Sequence, residues 1–229
     1  MKTEIYPSIT TTANSWRDKI KEVDNFKLEK VCFFPTCLTI DERKEAYKLL
    51  EKSSVKAIPL VHVRHDFIKD ELYYLKKTFK TNVFNIHSQK NSPFKLKNNL
   101  DEFNKKIFVE LTNTPVPEEE FIKYAGICLD LTHVEGARLD NNNLYKTFIR
   151  YMDKYPIGVA HASAILNHTK KDDFTRKKLH QSHEFEKLTN FDYVKSYKDY
   201  LPEIIAIEVE NSIEEQLKAK EYIEKILKD

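Results

Sequence analysis

The chain has 229 residues, of which 41% are hydrophobic, which is enough to fill one sizeable core in a single domain spanning residues 1–229. Its 38 lysines and arginines nearly balance its 36 acidic residues, and a formal charge of +2 disfavours a strongly basic nucleic-acid binder. Only 3 glycines occur, which excludes the Gly-rich phosphate loops of dinucleotide-binding and P-loop folds.

Apolar runs and cysteine content predict a cytoplasmic protein with no membrane partner. The longest apolar runs, 124–129 and 204–207, are far shorter than the ~20 residues of a membrane span. The N-terminal sequence has no apolar signal region. Cys32, Cys37 and Cys128 form an odd and sparse set, which fits free thiols in a reducing compartment.

Short apolar runs alternate with longer amphipathic stretches along the chain, which is the pattern of repeated βα units. Eight strands are predicted, at 5–8, 30–34, 57–62, 82–86, 107–110, 127–130, 157–161 and 204–208. Eight helices are predicted, at 15–25, 40–53, 68–79, 95–105, 117–124, 142–154, 191–200 and 213–227. Thr39 with Glu42, and Ser212 with Glu215, have the spacing of a helix capping box.

This order of elements predicts an α/β fold, a closed (β/α)8 TIM barrel. A length of 229 residues lies toward the short end of the ~200 to 400 residues typical of such barrels, so the loops must be brief. A doubly wound open sheet is the competing topology, although it usually relies on a Gly-rich first turn that this chain lacks.

Four consecutive predicted strands end in a side chain that can bind metal or transfer a proton. These strand-end residues are Glu110, Asp130, His161 and Glu208. The strand ends of a TIM barrel form its active face, so we expect the four side chains to meet there. Considered singly, Glu110 could instead be a surface carboxylate near a helix, and Glu208 could be half of a structural ion pair.

The alternation of side chains along a strand supports this placement. With the four strand-end residues inside the barrel, their apolar neighbours face the helices, namely Val109, Leu129 and Ile207. Small and apolar residues then point inward below the polar layer, namely Cys128, Val159 and Ala206. A shift of one residue in any of these strands would bury a carboxylate or an imidazole under the helices.

Histidines are distributed unevenly along the chain. All 8 lie at or after a predicted strand end, and none lies in a predicted helix: His62, His65, His87, His133, His161, His168, His180 and His183. Imidazole and carboxylate together suit zinc, manganese, iron or cobalt, and less readily magnesium alone. The Asp130-x-x-His133 spacing has little weight by itself, and the isolated pair Cys32 and Cys37 predicts inert thiols.

The motifs FVELTN, ICLDLTH, GVAHAS and IAIEVEN, in this order at predicted strand ends, resemble the xylose isomerase-like barrel superfamily. The superfamily includes sugar-phosphate isomerases and epimerases, ketose 3-epimerases, and the endonuclease IV branch of abasic-site nucleases. The resemblance covers residues 105–228 and is weaker before them. It implies a metal-dependent sugar or sugar-phosphate isomerase or epimerase, and because members often pair, it also allows for a homodimer.

The resemblance implies that a divalent cation, Mn, Zn, Co or Mg, is bound by Glu110, Asp130, His161 and Glu208. It also implies that Glu110 and Glu208 act as acid and base, and that His133 contacts the substrate. Two features of the sequence bear on this assignment of residues. Asn167 stands where an arginine often follows the strand-seven histidine, and Glu210 has the same parity as Glu208, so either of the two could be the eighth-strand ligand.

The proposed chemistry has a physical basis in these residue types. Epimerisation or isomerisation beside a carbonyl needs a base, an acid, and a cation that stabilises an enediolate. Two carboxylates at strand ends of the same barrel, with a metal between them, supply all three. Further candidate substrate-binding side chains surround them: His62, His87, Arg64 and His183.

The connection 162–190 after the seventh strand is long, and such loops are commonly functional lids or disordered. It contains a basic group of residues: Lys170, Lys171, Arg176, Lys177 and Lys178. With Arg64 and Arg138 they could bind the phosphate of a sugar phosphate, or they could be a solvated charged loop.

Two alternatives stay open. An endonuclease IV-like zinc-dependent nuclease would use His62 and His87 as additional zinc ligands, with the basic loop on the DNA backbone. That branch places an Asp-x-His pair after the seventh strand, whereas here Gln181 precedes His183 at that spacing. The near-neutral charge of the chain also disfavours a nucleic-acid partner. The other alternative is a non-catalytic barrel that binds a metabolite or a protein.

Overall fold

A parallel sheet that closes on itself is the centre of the fold. The computed structural model describes residues 3–171 and 178–228. The strands of this sheet are β1 (Glu4–Tyr6), β2 (Ser8–Thr10), β3 (Cys32–Phe34), β4 (Leu60–His62), β5 (Val83–Ile86), β6 (Ile107–Glu110), β7 (Ile127–Asp130), β8 (Ile157–Ala162) and β11 (Ile204–Ile207). Their order is β1-β11-β8-β7-β6-β5-β4-β3-β2, and every pair is parallel. Because β1 and β2 are consecutive in the chain, the sheet forms a barrel, and the open-sheet alternative is wrong.

Pro7 divides the first predicted strand, 5–8, into β1 and β2. β1 pairs with β11, whereas β2 pairs with β3. Proline has no N–H to donate to a strand partner, so a break at this position costs no hydrogen bond. The backbone N–H of Ser8 donates to Gln216 Oε1 at 2.7 Å, and Gln216 Nε2 donates to the Ser8 carbonyl at 3.1 Å. A buried side chain from the last helix therefore satisfies the backbone beside the break.

The α-helices of the described residues are α1 (Trp16–Asn25), α2 (Ile40–Glu51), α3 (Lys69–Phe79), α4 (Glu118–Lys123), α5 (Leu131–Asp140), α6 (Asn142–Lys154) and α7 (Ile213–Ile226). Two 3-10 helices, Asp101–Lys106 and Leu188–Tyr200, complete the set there. Capping boxes begin α2 at Thr39 and α7 at Ser212, as the sequence predicts. The predicted strands at 107–110 and 127–130, and the predicted helix at 142–154, have the observed bounds.

The predicted helix at 95–105 is wrong, since the structure has only a 3-10 helix at Asp101–Lys106 there. Asparagine side chains bind the backbone across this stretch instead. Asn98 Nδ2 donates to the Phe67 carbonyl at 2.9 Å, and Asn99 Oδ1 accepts the N–H of Asp101 at 2.8 Å. Side-chain bonds of this kind compete with helical hydrogen bonds. The predicted α-helix at 191–200 is likewise a 3-10 helix, Leu188–Tyr200.

Helix α5 begins directly after β7, where the sequence predicts no helix. Asp130 caps it, because its Oδ1 accepts the backbone N–H groups of Thr132 and His133, both at 2.9 Å. His133 therefore lies in a helix, contrary to the prediction that every histidine lies outside the helices.

A hairpin occupies much of the predicted loop 162–190. Its strands β9 (Ala164–Lys171) and β10 (Lys178–Ser182) are antiparallel and form a separate two-stranded sheet. Lys170, Lys171 and Lys178 of the predicted basic group lie on these strands. Arg176 and Lys177 lie outside the described residues.

Side chains of the barrel alternate between two apolar clusters, as predicted. Val109, Leu129 and Ile207 belong to the large cluster that the sheet forms with the helices. A second cluster fills the barrel interior: Tyr6, Cys32, Phe34, Leu60, Cys128, Val159 and Ala206. The polar strand ends therefore lie above a closed apolar floor. Among the described residues, no helix has both the length and the apolar character needed to cross a membrane.

Candidate functional site

Glu110 occupies the centre of a buried polar cluster at the carboxyl end of β6. Asn85 on the neighbouring strand β5 donates from Nδ2 to Glu110 Oε2 at 2.8 Å. His62 Nε2 lies 3.7 Å from Glu110 Oε2, and His87 Nε2 lies 3.7 Å from Glu110 Oε1. Burial raises the pKa of Glu110 to about 8. Sequence reasoning missed Asn85, although a polar residue in the run VFNI with the same parity as His87 was a usable signal.

The imidazole of His161 lies between the carboxylates of Glu110 and Glu208. Its Nδ1 lies 3.9 Å from Glu110 Oε2 and 3.2 Å from Glu208 Oε2, yet it makes no aligned hydrogen bond with any described residue. On the other side of the ring, Nε2 lies 3.3 Å from Cys128 Sγ in the barrel interior. Burial opposes ionisation of Glu208, but the adjacent His161 outweighs it and lowers the Glu208 pKa to about 2.

The two carboxylate oxygens of Asp130 have different contacts. Oδ1 caps helix α5, and Oδ2 lies 3.7 Å from His133 Nε2. His133 in turn is in contact with the hairpin, because its Nδ1 lies 3.1 Å from Gln181 Oε1. The capping bonds fix the Asp130 carboxylate so that Oδ2 stays directed at the cluster.

Glu208, rather than Glu210, joins this cluster from the end of β11, which is the eighth predicted strand. Glu210 Oε2 lies 2.9 Å from Lys19 Nζ, and both side chains are largely buried. Lys19 Nζ also donates to the Val209 carbonyl at 3.1 Å. This buried ion pair ties the segment after β11 to helix α1 and turns Glu210 away from His161.

Several groups of side chains in this cluster could hold a cation. In each group the candidate ligand atoms lie within 4.8 Å of one another: His62, His87 and Glu110; Glu110, Asp130 and His133; Asp130, His161 and Glu208; Glu110, Cys128 and His161. His161 Nδ1, which lies beside Glu110 and Glu208, is a buried nitrogen with no hydrogen-bond partner among the described residues. Such nitrogens normally find a partner, and a metal ion would supply one. The donor set therefore fits a divalent cation.

The other predicted substrate-binding residues lie at the edge of the cluster or outside it. His183 is exposed, and its Nδ1 lies 3.2 Å from the Glu208 carbonyl. Arg64 donates to the Leu38 carbonyl and lies 3.5 Å from Asp66 Oδ2. Arg138 binds Glu135 through two hydrogen bonds of 2.8 and 2.7 Å. Each of these arginines is thus paired with a carboxylate of the protein.

No family model and no curated protein matches the sequence. Solved structures do match the fold. A xylose isomerase domain protein from Alicyclobacillus acidocaldarius subsp. acidocaldarius has a TM-score of 0.54 and 9% identity, over 100% of this chain and 99% of that chain. A D-tagatose 3-epimerase-like protein has a TM-score of 0.52 and 16% identity, over 100% and 97% of the two chains.

A xylose isomerase-like TIM barrel protein from Mycobacterium smegmatis, in complex with magnesium, has a TM-score of 0.50 and 11% identity, over 96% of this chain and 90% of that chain. At these identities the similarity concerns the fold. It agrees with the closed parallel barrel described above. This chain has the xylose isomerase-like TIM-barrel fold.

Proposed function

We propose that the protein is a metal-dependent isomerase or epimerase of a sugar or sugar phosphate, which acts by proton transfer through an enediolate. One observation carries the proposal. Two carboxylates at the ends of different strands, the buried Glu110 and the partly buried Glu208, lie 3.9 and 3.2 Å from the same nitrogen, His161 Nδ1. The likeness to a D-tagatose 3-epimerase-like protein supports this class of reaction.

The cation would be held by Glu110, Asp130, His161 and Glu208. His161 would bind through Nδ1, the nitrogen without a hydrogen-bond partner, while Nε2 faces Cys128. When bound, a divalent cation stabilises negative charge that develops on the substrate oxygens. A donor set with an imidazole nitrogen favours manganese, zinc or cobalt over magnesium.

In this proposal, Glu110 and Glu208 exchange the carbon-bound proton, because they approach the centre from the sixth and the last barrel strand. Asn85 orients Glu110 through its 2.8 Å hydrogen bond. His133, beside Asp130, contacts a substrate oxygen. The apolar floor of the barrel excludes water from below, which strengthens electrostatic interactions at the site.

Glu110→Gln and Glu208→Gln variants test the proposal on a panel of sugars and sugar phosphates with manganese, zinc, cobalt or magnesium added. We expect each variant to lose about 10²- to 10⁴-fold in kcat, the usual contribution of general acid–base catalysis. The control is Glu184→Gln, which changes an exposed carboxylate on the hairpin side of the barrel. Variants that bind the cation and turn over a confirmed substrate at the native rate would exclude the assigned roles.

A second candidate, an abasic-site nuclease, is favoured by one specific observation. His62 and His87 converge on Glu110, so a further cation could share the Glu110 carboxylate. The number of bound metal ions separates the two functions. Three zinc ions per chain with incision of abasic DNA would indicate the nuclease, whereas one exchangeable ion without DNA affinity would indicate the isomerase. A chain that binds no divalent cation would favour a non-catalytic barrel.

A further inference from the structure

The hairpin β9–β10 brings Gln181 to the edge of the buried polar cluster around Glu110. Gln181 Oε1 lies 3.1 Å from His133 Nδ1, and Gln181 Nε2 donates to Asn113 Oδ1 at 3.4 Å. Asn113 follows β6, so residues from three separate parts of the chain meet at this amide. Because its NH₂ group is bound to Asn113, the carbonyl oxygen of Gln181 is the end that faces the imidazole.

Gly136 provides the space for this amide. It lies on helix α5 one turn after His133, on the same face, and it is buried. A Cβ atom at Gly136 would lie 1.7 Å from Gln181 Nε2 and 2.6 Å from its Cδ. Any larger residue would therefore displace the end of the Gln181 side chain, while the backbone of the hairpin could stay in place.

The pairing of the two hairpin strands is irregular next to Gln181, whose side chain enters this space. Leu179 pairs with Lys170, whereas Gln181 pairs with Ile165, so the register shifts between the two positions. Bulges of this kind commonly redirect a side chain beside a functional site. The base of the hairpin is also anchored to the rest of the protein, because Asn190 Nδ2 donates to the Ile165 carbonyl at 3.0 Å.

We propose that Gln181 is a positioning residue that holds His133 as the tautomer protonated at Nδ1, with the Nε2 lone pair directed at the cluster. An amide oxygen only accepts hydrogen bonds, so Nδ1 must carry the proton in this contact. His133 Nε2, 3.7 Å from Asp130 Oδ2, then faces Glu110 and Asp130 as an acceptor. It can bind a cation or accept a hydrogen bond from a substrate hydroxyl, but it cannot donate one.

The inference deepens the proposed function, since it rests on His133 being part of that site, yet its test needs no turnover. Long-range proton–nitrogen NMR of the ¹⁵N-labelled, metal-free protein reports which imidazole nitrogen carries the proton. The spectrum is recorded at a pH where a free imidazole is neutral. The signals of His133 are assigned by their loss in His133→Asn. We expect a protonated Nδ1 and an unprotonated Nε2.

Gln181→Met removes the acceptor and keeps the side-chain length, and we expect a severalfold rise in the fraction protonated at Nε2. Gln181→Glu retains an acceptor oxygen and should keep the native tautomer. Gly136→Ala should act in the same direction as Gln181→Met, since it displaces the amide, and it provides a second route if Gln181→Met does not fold. The matched control is Lys178→Met, an exposed position on the same strand, which should leave the tautomer unchanged.

A native His133 protonated at Nε2 would overturn the inference, as would a tautomer that is unchanged in both Gln181→Met and Gly136→Ala. The outcome is independent of catalysis. If the tautomer responds as expected while no cation and no sugar bind, the proposed function fails and the positioning role stands. If the cation binds and the tautomer does not respond, the reverse holds.

Discussion

His161 spans the boundary between the polar cluster and the barrel interior, with Nδ1 3.2 Å from Glu208 Oε2 and Nε2 3.3 Å from Cys128 Sγ. The imidazole is fully buried and packs edge-on against Phe34, with the ring centroids 4.9 Å apart. A thiol therefore has the position that a carboxylate or a carbonyl usually has behind a metal-binding histidine. Burial raises the pKa of Cys128 to about 12, so this partner is a neutral thiol.

We expect Cys128→Ala to lower the affinity for Mn²⁺ by about tenfold, because partners of ligating histidines typically contribute ~10- to 100-fold. Cys128→Ser keeps a hydrogen-bonding atom and should recover most of the affinity. The measurement is isothermal titration of the metal-free protein. Cys32→Ala is the matched control, because Cys32 is also buried in the barrel interior. Equal losses in the Cys128→Ala and Cys32→Ala variants would mean that cavity formation alone is responsible.

Glu208 and Glu210 should respond differently to removal of their charge. Glu208→Gln is expected to lower Mn²⁺ affinity at least tenfold. Glu210→Gln should lower the free energy of unfolding by roughly 3 kcal/mol, since it leaves the buried Lys19 ammonium without its ion-pair partner. Metal titration and urea denaturation of both variants test this. A loss of Mn²⁺ affinity in Glu210→Gln but not in Glu208→Gln would identify Glu210, rather than Glu208, as the metal ligand after β11.

Two variants separate the roles of Asp130 as helix cap and as proposed ligand. Asparagine caps helices as well as aspartate does, so Asp130→Asn should lose metal affinity while keeping the stability of α5. Asp130→Ala should lose the same affinity and, in addition, about 1 kcal/mol of stability. Thermal denaturation of the metal-free variants gives the second quantity. Equal stabilities would show that the hydrogen bonds from Thr132 and His133 contribute nothing measurable.

The floor of the barrel should be sensitive to added volume at Gly158. A Cβ atom there would lie 2.0 Å from Cζ of Phe108, whose ring packs against the interior cluster. We expect Gly158→Ala to destabilise the protein by about 1–3 kcal/mol, the usual cost of overpacking. Phe108→Leu in the same chain should recover part of the loss. A double variant no more stable than Gly158→Ala alone would place the strain elsewhere.

Much of the fold follows from patterns of two kinds. Alternation along the strands places Val109 and Leu129 under the helices and Cys128 inside the barrel, because a slip of one residue would bury charged groups under the helices. Capping residues locate the starts of α2 and α7, since Thr39 and Ser212 bond to backbone N–H groups three residues later.

What sequence reasoning missed depends on contacts between distant parts of the chain. Helix α5 has weak amphipathic character, because most of its residues are buried between the sheet and the hairpin, so no apolar stripe reveals it. Gln181 reaches His133 only because the hairpin irregularity and Gly136 coincide in space. The partner of Lys19 is likewise 191 positions away along the sequence.

The division of the first strand at Pro7 bears on how the molecule is made. Its two halves have neighbours at opposite ends of the chain, with Tyr6 opposite Ala206 and Ser8 opposite Cys32. During synthesis the second half can find its partner early, whereas the first half must wait until almost the entire polypeptide has emerged. Contacts this distant in sequence are slow to form. Until β11 has emerged, β1 and β8 both lack the neighbour that β11 later supplies, and free strand edges of this kind expose a nascent chain to aggregation.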